Sequence, residues 1–176
     1  MGKLIFITGG SRSGKSSLAV KIASKIKKKK VFIATCIPQD REMKERVRLH
    51  RLNRPSSWKT IEPSPDLLCL LSRETKENCV LIIDCLTLFV SGLLMRKRKE
   101  EAIKSEVKKV AETIKKGKAT AVIVSNEVGC GLVPENRLGR LFRDIAGSCN
   151  QDIAGYADEV FYMVAGIPIK IKGGPR

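Results

Sequence analysis

The sequence predicts an α/β sandwich on a mostly parallel sheet, and three observations predict it. The apolar run at residues 3–8 passes through a glycine-rich turn straight into a helix-spaced stretch at residues 18–26. A later run, residues 80–83, is apolar without alternation, the pattern of a strand covered on both faces, and residues 119–124 read as another buried strand. Helical periodicity fills the intervals between strands, as in a layered α/β domain with right-handed crossovers. A closing pair of runs, 160–164 and 167–172, reads as a C-terminal hairpin whose last strand lies at an edge because it contains Pro168. At 176 residues the chain reads as a single domain, 1–176, long enough to bury about 70% of its unfolded surface.

The glycine-rich turn is Gly9-Gly10-Ser11-Arg12-Ser13-Gly14-Lys15-Ser16, which fits G-x-x-x-x-G-K-[ST]. Glycines at those positions let successive backbone N–H groups and a helix N-terminus face a phosphate. Lys15 would then reach the β and γ phosphates, and Ser16 would offer its hydroxyl to Mg²⁺, which takes only one or two protein oxygens. A chance Gly/Ser turn is the plain alternative, but the strand before it and the amphipathic helix after it are the context the phosphate loop requires. The fold is therefore expected to be a three-layer sandwich of the phosphate-loop NTPase type. Ligands gather at the carboxyl ends of strands in such sheets, where Thr8, Thr35, Asp84 and Asn126-Glu127 all fall.

The remaining elements follow in order. Lys27, Lys28, Lys29 and Lys30 are expected to close the first helix as cations at its negative end, before a strand at 31–34 that stops at Thr35-Cys36. From Arg41 the spacing is helical, with Met43, Arg46, Val47, His50 and Arg54 on one face, so His50 is expected to face inward. Pro55 stops that helix. Residues 58–61 form a short strand ending at Glu62, and Pro63 and Pro65 frame the start of a helix through Leu71. Residues 79–95 imitate a membrane span, but they fall short of the roughly 20 residues needed and contain Asp84, Thr87, Ser91 and Gly92. A strand ending at Asp84 and a helix to Met95 is the better reading. A charged helix from about Lys99 to Lys116 ends at Gly117, and the strand at 119–124 closes on Ser125-Asn126-Glu127. Beyond Pro134 a long helix runs to about Ala154.

Lys and Arg number 34 against 18 Asp and Glu, a net charge of +16. That field favours anionic partners. Aromatics are only 5% of the chain and do not interleave with the basic runs, which argues against base-stacking platforms and against nucleic acid as a partner; nucleotides suit the charge equally well. The six cysteines form no C-x-x-C, and no basic-then-apolar signal peptide precedes the first strand, so a cytoplasmic protein with reduced thiols is expected.

Asp84, a carboxylate at the end of a buried strand, has the form of the residue that holds nucleotide Mg²⁺ in phosphate-loop enzymes. The competing reading is that it caps the helix beginning near Leu86. His50 is the only histidine, and a lone inward histidine is more often a core residue than a catalyst. Here Arg46, Arg51 and Arg54 lie within a turn of it; neighbouring cations disfavour imidazolium, and a neutral imidazole is a nucleophile. Arginine forks match phosphate oxygens, so the group is suited to attack on phosphorus. No N-K-x-D sequence for reading guanine occurs.

On these and further residues the chain resembles the bifunctional adenosylcobinamide kinase / adenosylcobinamide-phosphate guanylyltransferase family. The resemblance runs nearly end to end, through the phosphate loop, Ile33-Ala34-Thr35, His50-Arg51, Arg54-Pro55, Trp58 with Glu62, Asp84-Cys85-Leu86-Thr87, Ser125-Asn126-Glu127-Val128-Gly129, Phe142-Arg143-Asp144 and Asn150-Gln151. It implies two reactions. ATP or GTP phosphorylates the aminopropanol hydroxyl of adenosylcobinamide; GTP then forms a GMP-histidine whose GMP passes to that phosphate, giving adenosyl-GDP-cobinamide. The resemblance implies His50 as the guanylylated residue. It implies nucleotide contacts at residues 9–16, Ile33, Ala34, Thr35, Arg51, Leu52, Asn53, Arg54, Glu62 and Asp84, and a homotrimer. The chain departs from the family pattern at Leu52-Asn53 and at Phe89. Two rival functions are a phosphate-loop small-molecule kinase without guanylyl transfer, with His50 structural, and a basic nucleic-acid binder.

Overall fold

The computed structural model describes residues 1–38, 40–52, 55–62 and 66–174, and the side chains of all of these except Arg46, His50 and Leu52. Strand β1 (Lys3–Gly9) leads through the glycine-rich turn into helix α1 (Lys15–Lys25). Then come β2 (Lys29–Ala34), α2 (Arg41–Leu52), β3 (Lys59–Ile61), α3 (Leu67–Glu74), β4 (Cys79–Asp84), α4 (Leu86–Met95), α5 (Glu100–Lys116), β5 (Thr120–Val124), α6 (Arg137–Tyr156), β6 (Glu159–Val164) and β7 (Ile167–Lys172). The strands form one sheet in the order β3-β2-β4-β5-β1-β6-β7. Every neighbouring pair is parallel except β6 and β7, the expected hairpin, with β7 on the edge that Pro168 requires.

The unbroken apolar runs have a direct cause in this layering. Successive strand side chains point to opposite faces. Phe6, Leu81, Ile83, Ala121 and Ile123 enter one core with α3, α4, α5 and α6, whereas Ile5, Ile7, Val80, Ile82, Val122 and Val124 enter a second with Ala19 and Ala23 of α1. Both faces are covered, so residues 80–83 of β4 and 121–124 of β5 are all apolar, up to Asp84 and Ser125. Helices α3 and α6 start on ordinary side-chain caps: the Asp66 carboxylate accepts the Cys69 N–H at 2.8 Å and the Asn136 side chain accepts the Gly139 N–H at 2.6 Å.

The lysine run departs from expectation. Helix α1 ends at Lys25, the one basic residue of its last turn, and Ile26 is already extended. Lys29 and Lys30 open β2, paired with Cys79 and Val80; ladder pairing with β4 overrides the attraction of cations to the helix end. Helix α3 runs on to Glu74, past Leu71. Pro63, Pro65, Asn53 and Arg54 lie outside the described residues. Residues 79–95 are β4 and α4, and among the described residues no helix is long and apolar enough to cross a membrane.

At the amino edge of the sheet Asp158 and Leu4 are latched both ways. The Asp158 N–H donates to the Leu4 carbonyl at 2.8 Å, and the Leu4 N–H donates to Asp158 Oδ2 at 2.8 Å. Lys115 Nζ donates to the other carboxylate oxygen at 2.7 Å. Burial disfavours the Asp158 charge, but the Leu4 N–H and Lys115 more than offset it and hold the pKa below its ordinary value. A carboxyl whose pKa is depressed on folding contributes stability above its unfolded pKa and loses it as pH falls through the folded value. Asp158→Ala should therefore lower stability at pH 7 by about 1 kcal/mol. In urea melts that difference should shrink towards zero in strong acid; a gap independent of pH would show that the charge contributes nothing.

Candidate functional site

Four strands end level with one another. Ile7 pairs with Val124, Val124 with Asp84, and Asp84 with Ala34. The residues that follow these positions share one carboxyl edge, with β5 lying between the strand of the glycine-rich turn and the strand of Asp84.

Backbone geometry explains the glycines of the turn. Gly9 (φ 148°) sits so close to β6 that a Cβ there would lie 2.5 Å from the Met163 carbonyl oxygen, and Gly14 has φ 93°. Both positions exclude other residues by conformation, and Gly9 by space as well. The Gly166 N–H, from the β6-β7 turn, donates to the Ser13 carbonyl at 3.1 Å, and the Leu18 N–H donates to that of Gly14 at 3.0 Å. Helix α1 thus points its N-terminus into the turn, as anion binding requires. Ser11 and Arg12 are exposed, Ser13 is buried and Ser16 is half-buried on the first turn of α1.

Lys15 is 6% exposed, and its Nζ donates to the Gly10 carbonyl and, at 3.4 Å, to Ser13 Oγ. The ammonium is held within its own loop. Burial pulls its pKa below the ordinary value, with Asp84 working in the opposite direction. Asp84 Oδ2 is buried and has no hydrogen-bond partner among the described residues, and neither has Thr8 Oγ1. A carboxylate oxygen so placed is costly and is the kind of group a hard cation satisfies. Asp84 therefore fits a place among the ligands of a Mg²⁺ ion. The N-cap position of α4 is Cys85, without a side-chain cap bond, so nothing in the geometry favours Asp84 as a cap. Burial pushes the Cys85 thiol up to about 12, which leaves it neutral beside the loop.

Thr35 lies at the same edge. Its hydroxyl donates to the Cys85 carbonyl at 2.7 Å and its N–H to the Asp84 carbonyl at 3.2 Å, tying the ends of β2 and β4 together. Ile33 and Ala34 are packed in the core, so any ligand contact they make is through backbone. Arg51 and Glu62 form an ion pair at 2.6 Å, both half exposed. They line a hollow of about 250 Å³ with Pro55, Ser56, Trp58 and Thr60. This hollow is at the β3 edge, four strand steps from β1, which is about 19 Å at ~4.8 Å per step. The structure thus gathers the glycine-rich turn, Thr35 and Asp84, and sets Arg51 and Glu62 apart. His50 lies on α2; its side chain, that of Leu52, and Asn53 and Arg54 are outside the described residues, so the expectation that His50 faces inward is not addressed.

Sequence reasoning missed a closed ring of hydrogen bonds behind the edge. The Asn126 N–H donates to Thr87 Oγ1 at 2.6 Å, and Thr87 meets Ser125 Oγ at 3.0 Å. Ser125 Oγ donates to Asn150 Oδ1 at 2.7 Å, and Asn150 Nδ2 donates back to the Asn126 carbonyl at 3.2 Å. Because Ser125 spends its proton on Asn150, Thr87 must supply the one between the two hydroxyls. A signal was present: Asn150 interrupts the buried stripe Ile145, Ala146, Cys149 and Ile153 of α6.

A family model described as cobinamide kinase / cobinamide phosphate guanyltransferase matches residues 5–171. The chain is 38% identical over 181 residues to the bifunctional adenosylcobalamin biosynthesis protein CobU of Escherichia coli, covering 96% of this chain and 99% of that protein. It is 37% identical to the bifunctional adenosylcobalamin biosynthesis protein CobP of Pseudomonas aeruginosa, with 96% and 97% covered. Among solved structures, the assembled ATPase EscN of the enteropathogenic E. coli type III secretion system superposes with a TM-score of 0.60 at 16% identity, over 93% of this chain and 43% of that one. That likeness concerns the fold alone.

Proposed function

The chain belongs to the cobinamide kinase / cobinamide phosphate guanyltransferase family and is an enzyme of phosphoryl and guanylyl transfer; we propose that it carries out both reactions, in the cytoplasm, on adenosylcobinamide. In the first, ATP or GTP phosphorylates the aminopropanol hydroxyl. In the second, His50 takes GMP from GTP and passes it to the new phosphate, giving adenosyl-GDP-cobinamide. The observation that carries this reading is the family match over residues 5–171, which spans both the glycine-rich turn and α2.

In the kinase step the backbone of residues 9–16 and the α1 N-terminus would cradle the triphosphate. Lys15 would leave its bond to the Gly10 carbonyl and turn to the phosphates, where its charge is worth most as negative charge shifts during transfer. Ser16 and Asp84 would hold Mg²⁺, directly or through water, and the ion would neutralise phosphate charge. Thr35 would close the wall of the nucleotide site. In the guanylyl step His50 would act as nucleophile while Arg51, Leu52, Asn53, Arg54 and Glu62 contact the nucleotide. A homotrimer belongs to the same reading. It is supported by the uncovered apolar face that Ile167, Ile169 and Ile171 of β7 make with Val164, and light scattering on the purified protein checks it.

The test uses purified protein, adenosylcobinamide and labelled GTP. Label at the γ phosphorus should appear on the corrinoid as a monophosphate, and label at the α phosphorus should follow in the guanylylated product. Transfer of γ label alone would leave a small-molecule kinase, and no transfer of either would overturn the reading. Asp84→Asn keeps the shape but weakens the cation site, so turnover should fall about 100-fold or more and require higher Mg²⁺, with a melting temperature no lower than that of the wild type. A variant with normal rate and normal Mg²⁺ dependence would remove Asp84 from the metal site.

A further inference from the structure

Glu127 stands at the end of β5, between the glycine-rich turn and Asp84. Its backbone is held from two sides. The Glu127 N–H donates to the Gly9 carbonyl at 2.9 Å, and the preceding residue, Asn126, is fixed through both its N–H and its carbonyl by the Thr87–Ser125–Asn150 ring. Such a buried ring makes the strand end rigid, and rigid backbone is what a side chain needs if it is to meet a reacting atom within a fraction of an ångström. The side chain is also positioned. Oε1 accepts the Gly129 N–H at 2.7 Å, and a Cβ on residue 129 would lie only 2.9 Å from that oxygen, so glycine there keeps the space open. Oε2 has no partner among the described residues, and the side chain is half-buried, open to a ligand at the edge.

Resting on the kinase reaction proposed above, we infer that Glu127 receives the acceptor alcohol in the phosphoryl-transfer step. Its carboxylate accepts the hydroxyl proton as the alcohol oxygen bonds to the γ phosphorus. The bond from that phosphorus to the bridging oxygen breaks, and the nucleoside diphosphate leaves with the electron pair. Of the other carboxylates at the strand ends, Glu62 is paired with Arg51 at the far β3 edge, and Asp84 is committed to the cation; a carboxylate whose electrons are drawn to a metal is a weak proton acceptor. Guanylyl transfer to His50 uses no alcohol and so needs no such group.

Glu127→Gln separates this role from a structural one, because the amide oxygen can still accept the Gly129 N–H while the base is lost. With saturating corrinoid and nucleotide, its kcat for phosphorylation should fall about 100-fold, with nucleotide KM within about threefold. Labelling of the protein by α-labelled GTP should be unchanged. Glu127→Ala should match the Gln variant in kcat. Phosphorylation by the Gln variant within about threefold of wild type, rescue of an Ala defect by Gln, or equal loss of phosphorylation and protein labelling would each overturn the assignment. A wild-type protein that fails to phosphorylate the corrinoid overturns the kinase reading itself, and this inference with it.

Discussion

Lys15→Ala should abolish phosphoryl transfer and guanylyl transfer together, each by about 100- to 1,000-fold, in a protein that still melts cooperatively. Attack on the γ phosphorus and attack on the α phosphorus both shift negative charge along the triphosphate, and a cation on the phosphate loop is placed to meet either. The substitution is mild for the fold, since Lys15 sits in its loop with a pKa lowered by burial and, among the described residues, its hydrogen bonds go to that loop. Strand order makes the experiment more informative. Arg51 and Glu62 lie at the β3 edge, some four strands from the turn, so one triphosphate site for both reactions and two separate sites are different outcomes. Loss of both activities supports a single triphosphate site. Loss of phosphorylation with guanylylation intact places GTP for the second reaction at the β3 hollow, away from Lys15. A folded variant with wild-type phosphorylation removes the turn from the chemistry.

The second large effect is expected at His50. When the protein meets GTP and Mg²⁺ without corrinoid, label from the α phosphorus should remain on the denatured protein and pyrophosphate should be released, whereas γ label should not remain. A bond from phosphorus to imidazole nitrogen is lost in acid and survives in base, which distinguishes it from a phosphoserine. His50→Asn keeps a polar side chain of similar size but has no nucleophilic nitrogen. The adduct and all guanylyl transfer should vanish, while phosphorylation of the aminopropanol hydroxyl continues at the wild-type rate. Retention of α label by the Asn variant, or its absence from wild-type protein that consumes GTP, would exclude His50 and leave a kinase alone.

Local sequence carried the fold because a sheet covered on both faces leaves an unmistakable trace. Residues 80–83 and 121–124 have no alternation, and each run stops at a polar residue, Asp84 or Ser125, where the edge begins. The glycine-rich turn was legible for the same local reason: Gly9 and Gly14 answer to backbone conformation within a few residues. What stayed hidden depends on distant partners. Nothing in Lys29-Lys30 announces that they pair with β4 rather than finish α1. Thr87, Ser125 and Asn150 belong to three elements, and only packing reveals that their side chains close one ring. Asn126-Glu127 reads from the sequence as a pair that contacts a base or an attacking hydroxyl or simply closes the strand with a turn; the bond from the Glu127 N–H to the Gly9 carbonyl belongs to a partner far off in the chain.

The bond from the Gly166 N–H to the Ser13 carbonyl, with the close approach of Gly9 to Met163, sets a schedule for synthesis. Six described helices, α1 to α6, separate the glycine-rich turn from the β6-β7 hairpin in the order of synthesis. At roughly 5–20 residues per second the turn waits on the order of ten seconds for the strand that walls it and the N–H that braces it. A nascent chain therefore presents the phosphate-binding sequence long before it presents a phosphate-binding shape, and nucleotide can assist folding only after the hairpin has docked.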